Sequence, residues 1–210
     1  MDLSHPMTTA IPSSHGDVLE VLAHTDVALS ARAIAALTNG RVSHTQVGNA
    51  LRHLVSVGLV FRESHPPANL YQLNRDHVAA DPVVAMASLR AALLGRMRSS
   101  VATWDPHADA VWLFGSFARG EGSADSDIDV LVLVPPSVDD DDPTWMNQLD
   151  KFSSDVQMWS GNSCRIVEYR RSEFDDLTDE GERLPRDIAR DGIRLAGSDI
   201  PRVAIRRARK

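Results

Sequence analysis

Residues 111–134, VWLFGSFARGEGSADSDIDVLVLV, constrain this chain more than any other stretch. They open on an apolar run, Val111-Trp112-Leu113-Phe114, whose length and composition suit a buried strand. Gly115-Ser116 breaks the run, Phe117-Ala118-Arg119 begins a helix, and a polar loop of Gly, Ser and Asp leads into a second apolar strand over 128–134. Asp127 and Asp129 stand at the start of that second strand. Side chains alternate faces along a strand, so two carboxylates two residues apart point the same way. Few structural needs place two negative charges side by side. A bound divalent cation is one, because Mg²⁺ is held by one or two carboxylates together with the phosphates of a substrate.

The chain has 210 residues, room for one large domain or two small ones around this stretch. Its charge distribution favours two. Residues 1–80 carry 5 Lys/Arg against 6 Asp/Glu, and residues 81–201 carry 12 against 23. The last nine residues hold five positive charges and no negative one, and seven of the eight histidines precede residue 78. A net charge of -7 argues against strong nonspecific binding to nucleic acid. No apolar run approaches the roughly 20 residues of a membrane span, and the first residues lack the basic start and apolar core of a signal peptide. The single cysteine, Cys164, allows no internal disulfide. A cytoplasmic location and no membrane partner are therefore expected, with Cys164 a small buried hydrophobe.

Residues 1–14 have no periodicity and read as a lead-in. Val18, Val21 and Leu22 mark a short amphipathic helix over 17–24. Ser30 is a candidate N-cap for a helix over 31–37, closed by Asn39-Gly40. Ser43 is a candidate N-cap for a third, in which Val47, Leu51, Leu54 and Val57 keep helical spacing up to Gly58. Residues 59–63 and 70–73 then read as two strands joined by a loop containing Pro66-Pro67. Three short helices followed by a hairpin resemble a winged helix-turn-helix, assigned here to residues 15–78. That resemblance implies a recognition helix whose outward positions, His44, Gln46, Asn49, Arg52 and His53, reach base edges or phosphates of DNA. The same residues also suit a plain solvated face, and winged helices also dock proteins.

Asp81-Pro82 is a good helix start, and Met86, Leu89, Leu93, Met97, Val101 and Trp104 mark one face of a linking helix over 81–104. A second domain spans 105–200, with a basic tail over 201–210. After the second strand, Pro135-Pro136 and the four acids 139–142 form a solvated loop. A helix over 144–159, a strand over 164–169 (CRIVEY), a helix from Ser172 to Leu177 and a final helix over 184–195 complete it.

The sequence Gly115-Ser116-Phe117-Ala118-Arg119-Gly120, followed by Ser126-Asp127-Ile128-Asp129 and an apolar strand, resembles the nucleotidyltransferase superfamily, specifically its minimal group. At a looser level the resemblance runs from Ala108 to Gly197. It implies an α/β (α+β) fold with a mixed sheet flanked by helices. It also implies that Gly115, Ser116, Arg119 and Ser126 contact a nucleoside triphosphate, and that Asp127 and Asp129 hold Mg²⁺ (or Mn²⁺). The chemistry is consistent with those residue types. Glycine lets backbone approach phosphate, amides at a helix start attract an anion, and arginine adds a charge-assisted contact or pairs with an acid of the loop. The family draws a third carboxylate from a later strand, and Glu168 is the acid available in CRIVEY. Alternation groups Glu168 with Cys164 and Ile166, whereas a slightly different alignment puts Arg165 at that position. The sequence leaves both open.

Two functions follow from the resemblances. One is an enzyme that moves a nucleoside monophosphate, AMP in the first instance, from a triphosphate to a hydroxyl of a protein or RNA acceptor. The minimal group resembles antitoxins that adenylylate a partner protein, and enzymes that modify RNA ends or antibiotics. The other is a DNA-binding regulator, expected as a homodimer, whose nucleotidyltransferase-like domain senses nucleotide or serves as a scaffold. The residue at the third metal position and the charge of the recognition helix discriminate between them.

Overall fold

A computed structural model describes residues 1, 2 and 4–200, so the expected basic tail over 201–210 lies outside the described residues. Contacts divide the chain into two units, Ser4–Arg90 with Asp2, and Ala91 onward with Met1. No helix among the described residues is long and apolar enough to cross a membrane.

The first unit contains α1 (Met7–Ala10), α2 (Ser14–Ala23), β1 (Leu29–Ser30), α3 (Ala31–Leu37), α4 (His44–Ser56), β2 (Val60–His65), β3 (Ala68–Leu73) and α5 (Ala80–Ala87). Its capping chemistry matches the sequence. Ser30 Oγ accepts from Ala33 N at 3.2 Å, and Ser43 and Gln46 form a reciprocal capping box at the start of α4. Gly58, at φ 79°, ends the turn after α4 as only glycine does without strain. β2 and β3 form an antiparallel hairpin, and β1 adds to β3, giving the strand order β1-β3-β2. The apolar faces of the helices close over one core containing Val18, Leu22, Ile34, Val47, Leu51, Leu54, Val60 and Leu73.

The single helix expected over 81–104 is two helices, α5 and α6 (Leu89–Val101). At Ser88 the hydroxyl donates to Val84 O at 2.9 Å, and the amide is shared between Val84 O and Ala85 O. This tightened turn ends the helix. The apolar stripe is divided accordingly. Val83, Met86 and Ala87 pack in the first core, and Leu93, Met97, Val101 and Trp104 in the second.

The second unit continues with β4 (Ala110–Phe114), α7 (Gly115–Arg119), β5 (Ile128–Val134), α8 (Pro143–Ser160), β6 (Cys164–Arg170), α9 (Arg171–Asp179), α10 (Arg183–Asp191) and β7 (Ile193–Gly197). The sheet order is β6-β5-β4-β7. β4 runs antiparallel to β5 and β7, and β6 runs parallel to β5, so the sheet is mixed as expected. Alternation sorts the strands onto two faces. Val111, Leu113, Val130, Val132 and Ile166 pack with α6 and α8, while Ala110, Leu131, Leu133, Val167 and Tyr169 pack toward Phe174 of α9 and Ile188 of α10.

Three expectations for this unit change. The final helix stops at Asp191, and residues 193–197 form β7 against β4. The backbone leaves the helical region at Gly192, at ψ 144°, and pairing with β4 outweighs the local helical pattern. α9 begins at Arg171, before Ser172, because the Glu173 carboxylate accepts from Arg170 N at 2.7 Å. The acid run is also more than a solvated loop: Asp142 caps α8 through Thr144 N and Trp145 N, and Asp140 pairs with Arg170.

Candidate active site

The antiparallel register sets Phe114 opposite Asp129, so the end of β4 and the start of β5 lie side by side. The chain leaves β4 through Gly115, whose φ of 75° belongs to the left-handed region. A Cβ there would collide with Asp129 Oδ2 and lie 3.3 Å from its Cγ. Glycine is needed on both counts, conformation and space. The same contact brings the glycine break against the acid pair. Ser116 follows in α7, its carbonyl accepting from Glu121 N at 2.9 Å.

Asp127 and Asp129 are both partly buried. Burial lifts the Asp129 carboxyl above the usual carboxylate range, the neighbouring charge of Asp127 adds to the rise, and Arg165 and Arg119 oppose it. The pair offers only hard oxygen donors, which suit Mg²⁺ or Mn²⁺ completed by phosphates and water. Among the described residues no group of three or more His, Cys, Asp and Glu is placed to hold a metal. The donor set fits one cation shared with a substrate, and does not fit a site formed by protein ligands alone.

Glu168 is not brought to the pair. In the parallel ladder Asp129 is in register with Arg165, and Val132 with Glu168. Glu168 therefore lies on the opposite face of β6, where its Oε2 accepts from Trp145 Nε1 of α8 at 2.7 Å. The Glu168 expectation is corrected by this register. The residue beside the acids is Arg165, whose Nη2 lies 2.9 Å from Asp127 Oδ2.

The two remaining expected phosphate contacts are engaged locally. Arg119 donates from Nε to Glu121 Oε2 at 2.7 Å, the loop-acid pairing the sequence left open. Ser126 Oγ accepts from Ser123 N at 2.9 Å and shapes the loop before Asp127. That loop depends on a residue between α8 and β6, outside every element expected from the sequence. Asn162, 2% exposed, donates from Nδ2 to Ala124 O and Ser126 O, each at 3.0 Å. A buried amide spanning two carbonyls of the loop holds Asp127 in place from beyond α8. The signal available was an Asn directly after the helix-ending Gly161. Cys164, at the start of β6, has its thiol pushed up to about 12, by burial first and by Asp129 second.

In the first unit His44, Gln46, Asn49, Arg52 and His53 all lie on the exposed face of α4. Gln46 Oε1 is engaged in the capping box, Arg52 donates to Asn49 Oδ1, and the His53 ring packs edge-on against His15.

The family model described as a nucleotidyltransferase domain matches residues 95–199. No curated protein matches the chain. Among solved structures, a toxin–antitoxin with AMP-PNP is similar at 19% identity and a TM-score of 0.36, covering 50% of this chain and 74% of that one. A mutant of the toxin–antitoxin MntA-HpeT is similar at 17% identity and a TM-score of 0.37, with the same coverage.

Proposed function

The chain belongs to the nucleotidyltransferase domain family, and from that premise we propose that its second unit binds a nucleoside triphosphate with Mg²⁺ (or Mn²⁺) and transfers the nucleoside monophosphate, AMP in the first instance, to a hydroxyl of a protein or nucleic-acid acceptor. The observation that carries this reading is the contact of Gly115 with Asp129, which joins the glycine break to the acid pair at one place. Asp127 and Asp129 hold the cation, and the backbone at Gly115-Ser116 lies beside the phosphates. The cation supplies charge stabilisation at the α-phosphorus when bound. The acceptor hydroxyl attacks that phosphorus as the bond to pyrophosphate breaks, and its proton is lost to solvent. Arg119 and Ser126, each bonded within the loop around the site, face the phosphates from that loop.

A second reading is favoured by a specific observation. Arg165 stands beside Asp129, on the strand from which the family draws its third carboxylate, and pairs with Asp127. A site with two acids and an arginine binds metal–nucleotide without a protein ligand for an acceptor-activating cation, and so acts as a sensor or scaffold. The first unit then carries the output. Its order of helix, strand, two helices and hairpin supports the winged-helix reading, with DNA met by His44, Asn49, Arg52 and His53 in a homodimer.

Incubation with each α-labelled nucleoside triphosphate, Mg²⁺ and a lysate of the protein's own cells separates these readings. Transfer predicts a labelled protein or RNA band that is absent with Asp127→Asn/Asp129→Asn. Nucleotide binding with no labelled band refutes transfer and leaves the sensor. A mobility shift on upstream DNA that survives Asn49→Ala/Arg52→Ala unchanged refutes the recognition face.

A further inference from the structure

Arg165 has an unusual position for a surface arginine. Its backbone is in register with Asp129, on the face of β6 shared with Val167 and Tyr169, and its guanidinium touches Asp127. It also acts electrostatically on Asp129, opposing the rise in that carboxyl's proton affinity. This guanidinium thus acts on both acids. Its side chain is 71% exposed and that of Asp127 27%, so the pair is weak and opens readily.

A divalent cation bound by Asp127 and Asp129 would claim the carboxylate oxygen that Arg165 contacts. The cation arrives with phosphate oxygens in its coordination shell. The guanidinium, held nearby by β6, then faces those oxygens, and its planar fork of donors suits phosphate better than an ammonium does. Two acids and Arg165, with Arg119 paired to Glu121, leave a local charge of -1, which suits one divalent cation. A second would sit against the guanidinium.

We propose that Arg165 is a triphosphate-binding residue that moves between Asp127 and the phosphates of an incoming metal–nucleotide complex, so that the site takes up metal and nucleotide together and holds a single divalent cation. The proposal rests on the second unit being a nucleotide site, and it holds whether or not transfer follows.

Mn²⁺ binding by the full chain is followed by electron paramagnetic resonance, alone and with α,β-methylene-ATP, for wild type, Arg165→Ala, Arg165→Lys and Asp127→Asn/Asp129→Asn. Removal of a charge beside the cation should tighten binding of bare Mn²⁺ by about tenfold at physiological ionic strength. Loss of the phosphate contact should weaken the Mn²⁺–nucleotide complex by about tenfold or more, with Arg165→Lys intermediate. These opposite signs are the signature, since general damage to the fold weakens both. The wild type should hold one Mn²⁺ per chain with the analogue present. Unchanged nucleotide affinity in Arg165→Ala, or two Mn²⁺ in the wild type, overturns the role of Arg165 while leaving the nucleotide site standing. Wild-type binding indistinguishable from that of Asp127→Asn/Asp129→Asn overturns both.

Discussion

Replacing Gly115 by alanine tests the junction of strand, turn and acid pair directly. At φ 75° an L-residue carries about 1–2 kcal/mol of strain relative to glycine. The added methyl group would meet Asp129 Oδ2 and lie 3.4 Å from Asp129 Cβ, and overpacking of this kind costs about 1–3 kcal/mol. A gain of about 0.5 kcal/mol from the stiffer unfolded chain offsets a little of this. Gly115→Ala should therefore lower unfolding free energy by about 2–4 kcal/mol in urea titration. Because relief of the clash requires Asp129 to turn away, Mn²⁺–nucleotide affinity should also fall at least tenfold. Gly197→Ala is the control. It has φ 74°, and its Cβ would lie 2.3 Å from Asp109 O and 2.7 Å from Ala110 Cα, at the end of β4 remote in register from Asp129. With only backbone in its way it should lose at least as much stability as Gly115→Ala and keep its affinity. A folded Gly115→Ala protein that binds Mn²⁺–nucleotide like the wild type refutes the reasoning.

Three further outcomes are expected. Asn162→Ala removes the amide that ties the loop to the end of α8, and should cost about 1–3 kcal/mol in denaturant, with weaker binding of Mn²⁺–nucleotide measured alongside. Glu168→Ala should cost about 1 kcal/mol by removing the acceptor of the buried Trp145 indole, while metal titration shows unchanged binding. Asp129 titrates higher in the folded chain than in the unfolded one. The folded state therefore binds more protons between the two values, and stability falls as pH rises through that window. In metal-free buffer Asp129→Asn should melt above wild type at neutral pH, and the difference should vanish below the ordinary carboxylate range. A lower melting temperature for Asp129→Asn at neutral pH would contradict the sign.

Much of the site was legible because it is local. A glycine at a strand end, a polar loop and two acids two residues apart determine their own conformation and their shared face, through steric limits on φ and the two-residue period of a strand. The capping serines, Ser30 and Ser43, were legible for the same reason: a side chain bonds an amide three residues away. Where long-range pairing competes with a local pattern, the pattern misleads. Ile193 and Arg194 fit a helical period, yet they pair with Leu113 and Trp112 of β4, 80 and 82 residues earlier in the chain.

The nucleotidyltransferase motif, its acid pair and its glycine break were therefore determined by the sequence alone. Which residue of β6 stands beside the acids was decided only in three dimensions. β6 returns parallel to β5 after the crossover through α8, and its register is set by Cys164 and Ile166 burying against that helix while Val167 and Tyr169 bury on the other face. A shift of one residue exchanges Arg165 for a neighbour on the opposite face. Packing on both faces of the sheet, absent from any local stretch of sequence, sets Arg165 against Asp127 and turns Glu168 toward Trp145.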